Sequence, residues 1–158
     1  MFRRFLQTDD DVSALVMRLT LGVVFFPHGA QKVLGWFGGP GASATIQGFA
    51  KMGMPPALTA LILAAELGGS LLLILGFLTR LGALGIGAVM AGAIFLVHSK
   101  VGFFMNWSGT QKGEGFEYHV LALGLAIALL IKGGGALSVD RALTREGRGA
   151  VALPAPRM

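Results

Sequence analysis

Long apolar runs, broken at intervals by glycine, proline and charge, set the plan of this chain. Four of them, 12–34, 57–78, 81–99 and 115–131, are predicted to be helices that cross about 30 Å of hydrocarbon at roughly 20 residues each. The fourth is short from Tyr118 to Ile131 and reaches spanning length only if it recruits Glu117 and the residues just before it. The breaks fit the same division. GFLTRLG, residues 76–82, leaves room only for a tight turn between antiparallel neighbours. The first connection carries Gly38, Gly39, Pro40 and Gly41, then Pro55 and Pro56. Between them, ATIQGFAKMGM sets Ile46, Phe49 and Met52 at helical spacing, either as a short helix in the headgroup region or as an ordered loop. The third connection, VGFFMNWSGTQKGEG, mixes Phe103, Phe104 and Trp107 with polar residues, as at a membrane interface. Gly82, Gly85, Ala88 and Gly92 form a small-residue stripe on the third helix, with Gly68 and Gly69 on the second, which would let neighbouring backbones approach closely.

Composition decides what surrounds these helices. Hydrophobic residues make up 54% of the chain and charged ones 13%, against about 45–50% and 25% in soluble proteins. The expected fold is therefore all-α, an integral membrane four-helix bundle. Residues 1–143 form its single transmembrane domain and 144–158 a flexible cytoplasmic tail. A cleaved secretory signal fits poorly, because Arg18, His28 and Lys32 interrupt the first run and no small-residue cleavage site follows it. The absence of cysteine excludes disulfides and thiolate metal sites. The formal charge of +5 is scattered over loops and tail, which points to lipid headgroups and away from nucleic acid. Arg3, Arg4, Arg80, Lys132, Arg141, Arg145, Arg148 and Arg157 fall on the side of the two termini, and Lys32, Lys51, Lys100 and Lys112 on the other. The positive-inside rule puts the termini in the cytoplasm.

The candidate chemistry lies in ionisable groups inside or beside the apolar runs. His28, His98 and His119 all fall near the outer ends of helices, so antiparallel packing would bring them to one membrane level, with Lys32, Lys100, Glu114 and Glu117 at or beyond it. Arg18, Phe25 and Lys32 share a stripe of the first helix, with His28 offset by less than a quarter turn. Pro27 cannot donate to the carbonyl of Val23, which would free a polar group there. Glu66 is the deepest acid, about 15 Å into the second helix, and Arg18 is its expected partner. For that pair, an architectural role in fixing helix register competes with a proton or ligand site; for Lys32 and Lys100, snorkelling to the interface competes with a site. Three imidazoles with a carboxylate would suit a borderline metal, although no short-range pair such as HxxxH supports one. The same groups could instead hydrogen-bond a quinone carbonyl and pass protons to it.

RLTLGVVFFPHGAQKVLGWFGG, then AAELGGSLLLILGFLTRLGAL, then GFEYHVLALGLAIALLIKGGGALSVDRAL resemble the DoxX family of small bacterial four-helix membrane proteins, from about Arg18 to Leu143. The resemblance implies a bacterial inner-membrane location and a redox association. Relatives include a subunit of a thiosulfate:quinone oxidoreductase, and other members have been linked to oxidative-stress complexes with a superoxide dismutase and a sulfurtransferase. Arg18, His28, Lys32, Glu66, Arg80, Glu117 and His119 match its pattern. The resulting expectation is a quinone-linked redox subunit or small oxidoreductase component. His28, Glu66 and His119 would be its catalytic groups, and Arg18, Lys32, His98 and Glu117 would bind ligand or pair charge. Two alternatives remain: a non-catalytic anchor or assembly partner of a redox complex, and a small-molecule transporter built as a homo-oligomer.

Overall fold

A computed structural model describes residues 2–145; the expected tail beyond Arg145, with Arg148 and Arg157, lies outside them. The elements are α1 (Phe2–Leu6), α2 (Val12–Leu34), α3 (Gly41–Lys51), α4 (Pro56–Leu75), α5 (Thr79–Leu96), α6 (Glu117–Lys132) and α7 (Val139–Arg145), with single 3₁₀ turns at Trp36–Gly38 and His98–Lys100. Among the described residues there is no strand. Local chemistry sets the helix ends. The Asp11 carboxylate accepts the Ser13 N–H at 2.8 Å and caps α2, while Gly35, at φ 73°, closes it in the left-handed conformation that glycine adopts without strain. Pro56 opens α4, and Gly76, at φ 65°, ends it.

Three helices, α2, α4 and α5, are long and apolar enough to cross a membrane. They pack with α6 into a ring in which α2 meets α4, α4 meets α5, α5 meets α6 and α6 returns to α2. The core is made of Leu21, Phe25, Leu73, Ile86, Met90, Ala126 and Leu129 with their neighbours. Leu61, Phe95, Leu121 and Ile131 point outward, where lipid solvates them as well as a protein core would. Glycine sets the closest approaches. A Cβ on Gly29 would lie 2.7 Å from the Leu67 backbone, and one on Gly82 would lie 2.9 Å from the Gly69 carbonyl. The expected small-residue stripe on α5 is half used: Gly82 and Gly85 meet α4, whereas Gly92 has nothing within 4 Å and Ala88 is exposed. On α4, Gly69 makes the contact and Gly68 does not.

The bundle end that carries α1 and α7 is closed by side chains bonded to backbone. Buried Arg18 donates from Nε to Gly134 O (2.9 Å), from Nη1 to Leu73 O (3.2 Å) and Ile74 O (2.7 Å), and from Nη2 to Ala136 O (3.2 Å) and Leu137 O (2.8 Å). These include carbonyls that the end of α4 leaves without helical donors. Arg80 does the same for α6, donating to Leu130 O (2.9 Å) and Ile131 O (3.1 Å), and also ties in Phe5 O and Gln7 O. Buried Asp140 accepts Leu78 N (2.7 Å) and Thr79 N (2.9 Å), holding the start of α5. GGGALSVDRAL is thus the clasp of this end.

The expected pairing of Arg18 with Glu66 does not form. Gly29 faces the backbone of Glu66 and Leu67, so the acid lies level with a point eleven residues along α2 from Arg18. At 1.5 Å per residue the separation is about 16 Å, beyond the reach of a guanidinium. The expected short helix in the first connection is present as α3. Its buried Thr45 donates to the Lys32 carbonyl at 3.1 Å and so rests α3 on the end of α2.

Candidate functional site

The end of the bundle away from α1 and α7 holds the ionisable groups. Glu66, 2% exposed, accepts from Lys32 Nζ at both carboxylate oxygens, 2.6 and 2.7 Å away. The lysine expected to snorkel outward therefore turns in to the acid, as a buried carboxylate requires a partner. Register makes the pair: Lys32 lies one turn beyond Gly29, and the absence of a side chain at Gly29 lets α2 close onto α4 at that level.

Across the core from the pair, Tyr118 and His119 follow Glu117 in the first turn of α6. Tyr118 stacks on Phe25 of α2, ring centroids 6.2 Å apart at 24°. Its hydroxyl is buried without a hydrogen-bond partner, and so is Nδ1 of His119, which is 7% exposed. Buried polar atoms are seldom left unpaired, because each forfeits its hydration. Two such atoms on consecutive residues, in an apolar core at the same end of the bundle as a buried ion pair, mark a place where a polar group of a ligand would be held. The sequence reading passed over Tyr118, although its place next to His119 at the start of a span, opposite an acid, was a usable signal.

The three histidines do not all converge. His98 and His119 meet, with ring centroids 4.1 Å apart, and His98 Nδ1 sits 2.8 Å from the Glu114 carbonyl. His28 is exposed on α2. Phe25 and Tyr118 stand between it and the pair, since both Phe25–His28 and Phe25–Tyr118 centroid distances are 6.2 Å. Rotation of α2 about its own axis takes His28 out of the interior. Among the described residues no three His, Asp or Glu side chains are grouped as metal ligands would be.

Glu117, expected to bind ligand or pair charge, accepts Met105 N at 2.8 Å and Trp107 Nε1 at 3.3 Å. With Glu114, which accepts Asn106 N at 2.7 Å, it folds the loop between α5 and α6 over this end of the bundle. Lys100 is exposed. At the opposite end, a cavity of about 180 Å³ is lined by Gln7, Thr8, Asp9, Asp10, Arg141, Thr144 and Arg145. Asp10 pairs there with Arg141 and, at 3.8 Å, with Arg145, far from the histidines and filled with self-compensating charge.

A family model described as DoxX matches residues 13–99. The chain is 31% identical over 137 residues to the inner membrane protein YqjF of Escherichia coli (strain K12), covering 87% of this chain and 96% of that one. It is 31% identical over 119 residues to a Bacillus subtilis (strain 168) protein named "Putative oxidoreductase CatD", covering 75% and 79%. With the inner membrane protein YphA of Escherichia coli (strain K12) it shares 30% identity over 136 residues, covering 82% and 89%. No solved structure gives a significant match.

Proposed function

Because this chain belongs to the DoxX family and is an inner-membrane protein, we propose that it is a quinone-linked redox subunit or small oxidoreductase component. In this reading α6 spans the bilayer as the fourth helix and both termini face the cytoplasm. At 16 residues α6 is about 24 Å long, short for a span, and the Phe116 and Gly133 ends would sit close to the headgroups. The orientation is supported by Arg3, Arg4, Arg80, Lys132, Arg141 and Arg145 at the end of the termini, against Lys51, Lys100 and Lys112 at the other. Lys32 leaves that second tally, since its charge is taken up by Glu66.

One observation carries the site assignment: Tyr118 Oη and His119 Nδ1 are buried and unpartnered, at the end of the bundle that also holds the Lys32–Glu66 pair. A quinone offers carbonyl oxygens to such donors. Tyr118 would donate to one carbonyl, and His119, in the tautomer with a proton on Nδ1, would orient the ring. Lys32 and Glu66 hold the proton-exchanging charge nearest to it. Reduction takes two electrons as well as two protons; the electrons would come from a partner redox protein or a small donor. The name of the Bacillus subtilis relative is consistent with this chemistry. Arg18, Arg80 and Asp140 are assigned to architecture because their hydrogen bonds go to backbone, and Glu117 because its bonds to Met105 N and Trp107 Nε1 hold the loop between α5 and α6.

The test is equilibrium binding of a ubiquinone or menaquinone analogue to the detergent-purified protein, with metal content measured on the same samples. Saturable binding that weakens in Tyr118→Phe, Glu66→Gln and His119→Ala is expected. No binding by the wild-type protein, or equal binding by every variant, would refute the assignment and leave a membrane anchor for a redox complex as the better account.

A further inference from the structure

His28 is exposed on α2, about 9 Å short of the end of that helix at 1.5 Å per residue, and its ring makes no hydrogen bond to another described residue. One position earlier, Pro27 lacks the N–H that would bond the carbonyl of Val23, and Val23 is itself 58% exposed. A polar ring thus stands exposed beside a proline on an otherwise apolar span. In water this would need no explanation; in hydrocarbon each unsatisfied group costs free energy.

From His28 an unbroken file of rings runs inward. His28 to Phe25 is 6.2 Å, Phe25 to Tyr118 is 6.2 Å at an interplanar angle of 24°, Tyr118 to His119 is 5.7 Å, and His119 to His98 is 4.1 Å. The file crosses the seam between α2 and α6. That seam is closed differently from the α2–α4 and α4–α5 seams, and like the α5–α6 seam it is filled by side chains. In the α2–α4 and α4–α5 seams glycine packs against backbone so closely that a Cβ on Gly29 or Gly82 would come within 2.7 and 2.9 Å of it, whereas Gly22 and Gly29 of α2 both face α4, and Gly124 of α6 has nothing within 4 Å. Side chains that can change rotamer, chiefly Phe25 against Tyr118, fill the α2–α6 seam. The other approaches are strapped: the clasp around Arg18 closes one end, while Thr45 on the Lys32 carbonyl and the Glu117-bound loop cover the other.

We infer that the ligand enters from the bilayer through the α2–α6 seam, as a planar, lipid-soluble ring that displaces Phe25. His28 donates a hydrogen bond to it at the mouth, and its tail stays in lipid. This rests on the quinone reading and adds the route, the requirement for a lipid-soluble substrate and a role for His28 in binding.

The experiment uses the full chain in phosphatidylethanolamine–phosphatidylglycerol vesicles with a photoreactive azidoquinone that carries an isoprenoid tail, followed by peptide mapping. Label on α2 and α6 around Phe25 and Tyr118 is expected. Binding should weaken about three- to tenfold in His28→Ala, the loss of one hydrogen bond, and recover in His28→Asn, which keeps a donor. Phe25→Trp, which seals the seam, should slow labelling. Saturable binding that maps to α3 or the 101–116 loop, or that is indifferent to His28→Ala, would overturn the lateral route while leaving the quinone reading intact. Absence of saturable labelling in the wild-type protein would sink both.

Discussion

Replacing Lys32 by Met leaves the Glu66 carboxylate buried with no counter-charge. Breaking a buried pair from one side costs about 3–5 kcal/mol. Lys32 keeps a side-chain exposure of 31% against 3% for Glu66, so solvent or headgroups screen part of the interaction and the lower end, about 3 kcal/mol, applies. At about 2–4 °C per kcal/mol for a chain of this size, Lys32→Met should melt roughly 6–12 °C lower. Glu66→Leu should cost less, because the freed lysine can swing its ammonium to the headgroup region while the acid in the converse variant cannot follow. The double variant Lys32→Met/Glu66→Leu should recover most of the loss, since an apolar pair of similar volume substitutes for a buried ion pair at little cost. Thermal unfolding of the four proteins in one detergent, followed by circular dichroism, gives the cycle. A Lys32→Met loss under about 1 kcal/mol, or a double variant no more stable than Lys32→Met, would refute the buried-pair reasoning. The double variant also separates architecture from binding: if it folds as well as wild type and no longer binds the quinone analogue, the pair belongs to the site.

Arg18→Lys keeps the charge but offers three donors in place of the five that Arg18 uses; a loss of about 3 kcal/mol or more is expected from the stranded carbonyls, and full wild-type stability would contradict the clasp. For Asp11, the hydrogen bond from Lys132, then that from Ser13, hold the carboxyl well below the ordinary carboxylate range. The group binds its proton more weakly folded than unfolded, so its contribution is present above the unfolded value of about 3.9 and is lost as pH falls through the lower folded value. The melting-temperature gap between wild type and Asp11→Asn should therefore be constant from pH 7 to about 5 and shrink below about 4. A gap that widens with acid would show the sign to be wrong.

The helices and their ends were legible because what sets them is local. Asp11 before an apolar run, Gly35 and Gly76 after one, and proline at 55 and 56 act within a turn of themselves. The membrane environment was legible for a related reason, since the cost of charge in hydrocarbon acts on each residue separately and shows in composition. Ser138 acts over the same short range, its hydroxyl accepting Arg141 N at 3.2 Å at the start of α7. The five-residue α1 was not foreseen, for it carries no apolar period long enough to read and is tied down by Arg80 from a distant helix.

Partnership between helices was not local. Arg18 and Glu66 were matched by charge, but the axial register of α2 on α4 is set by Gly22 and Gly29 against the backbone around Ser70 and Leu67, and it delivers Lys32 to the acid. Depth put three histidines at one level, yet the rotation of α2 fixed by those same glycine contacts turns His28 to the outside and leaves His98 with His119. What the sequence determined by itself was which long segments are helical, roughly where each stops and what solvent they need. The tertiary structure alone decided which ionisable groups meet, because register and rotation come from backbone contact between segments more than thirty residues apart, where an error of one turn changes every partner.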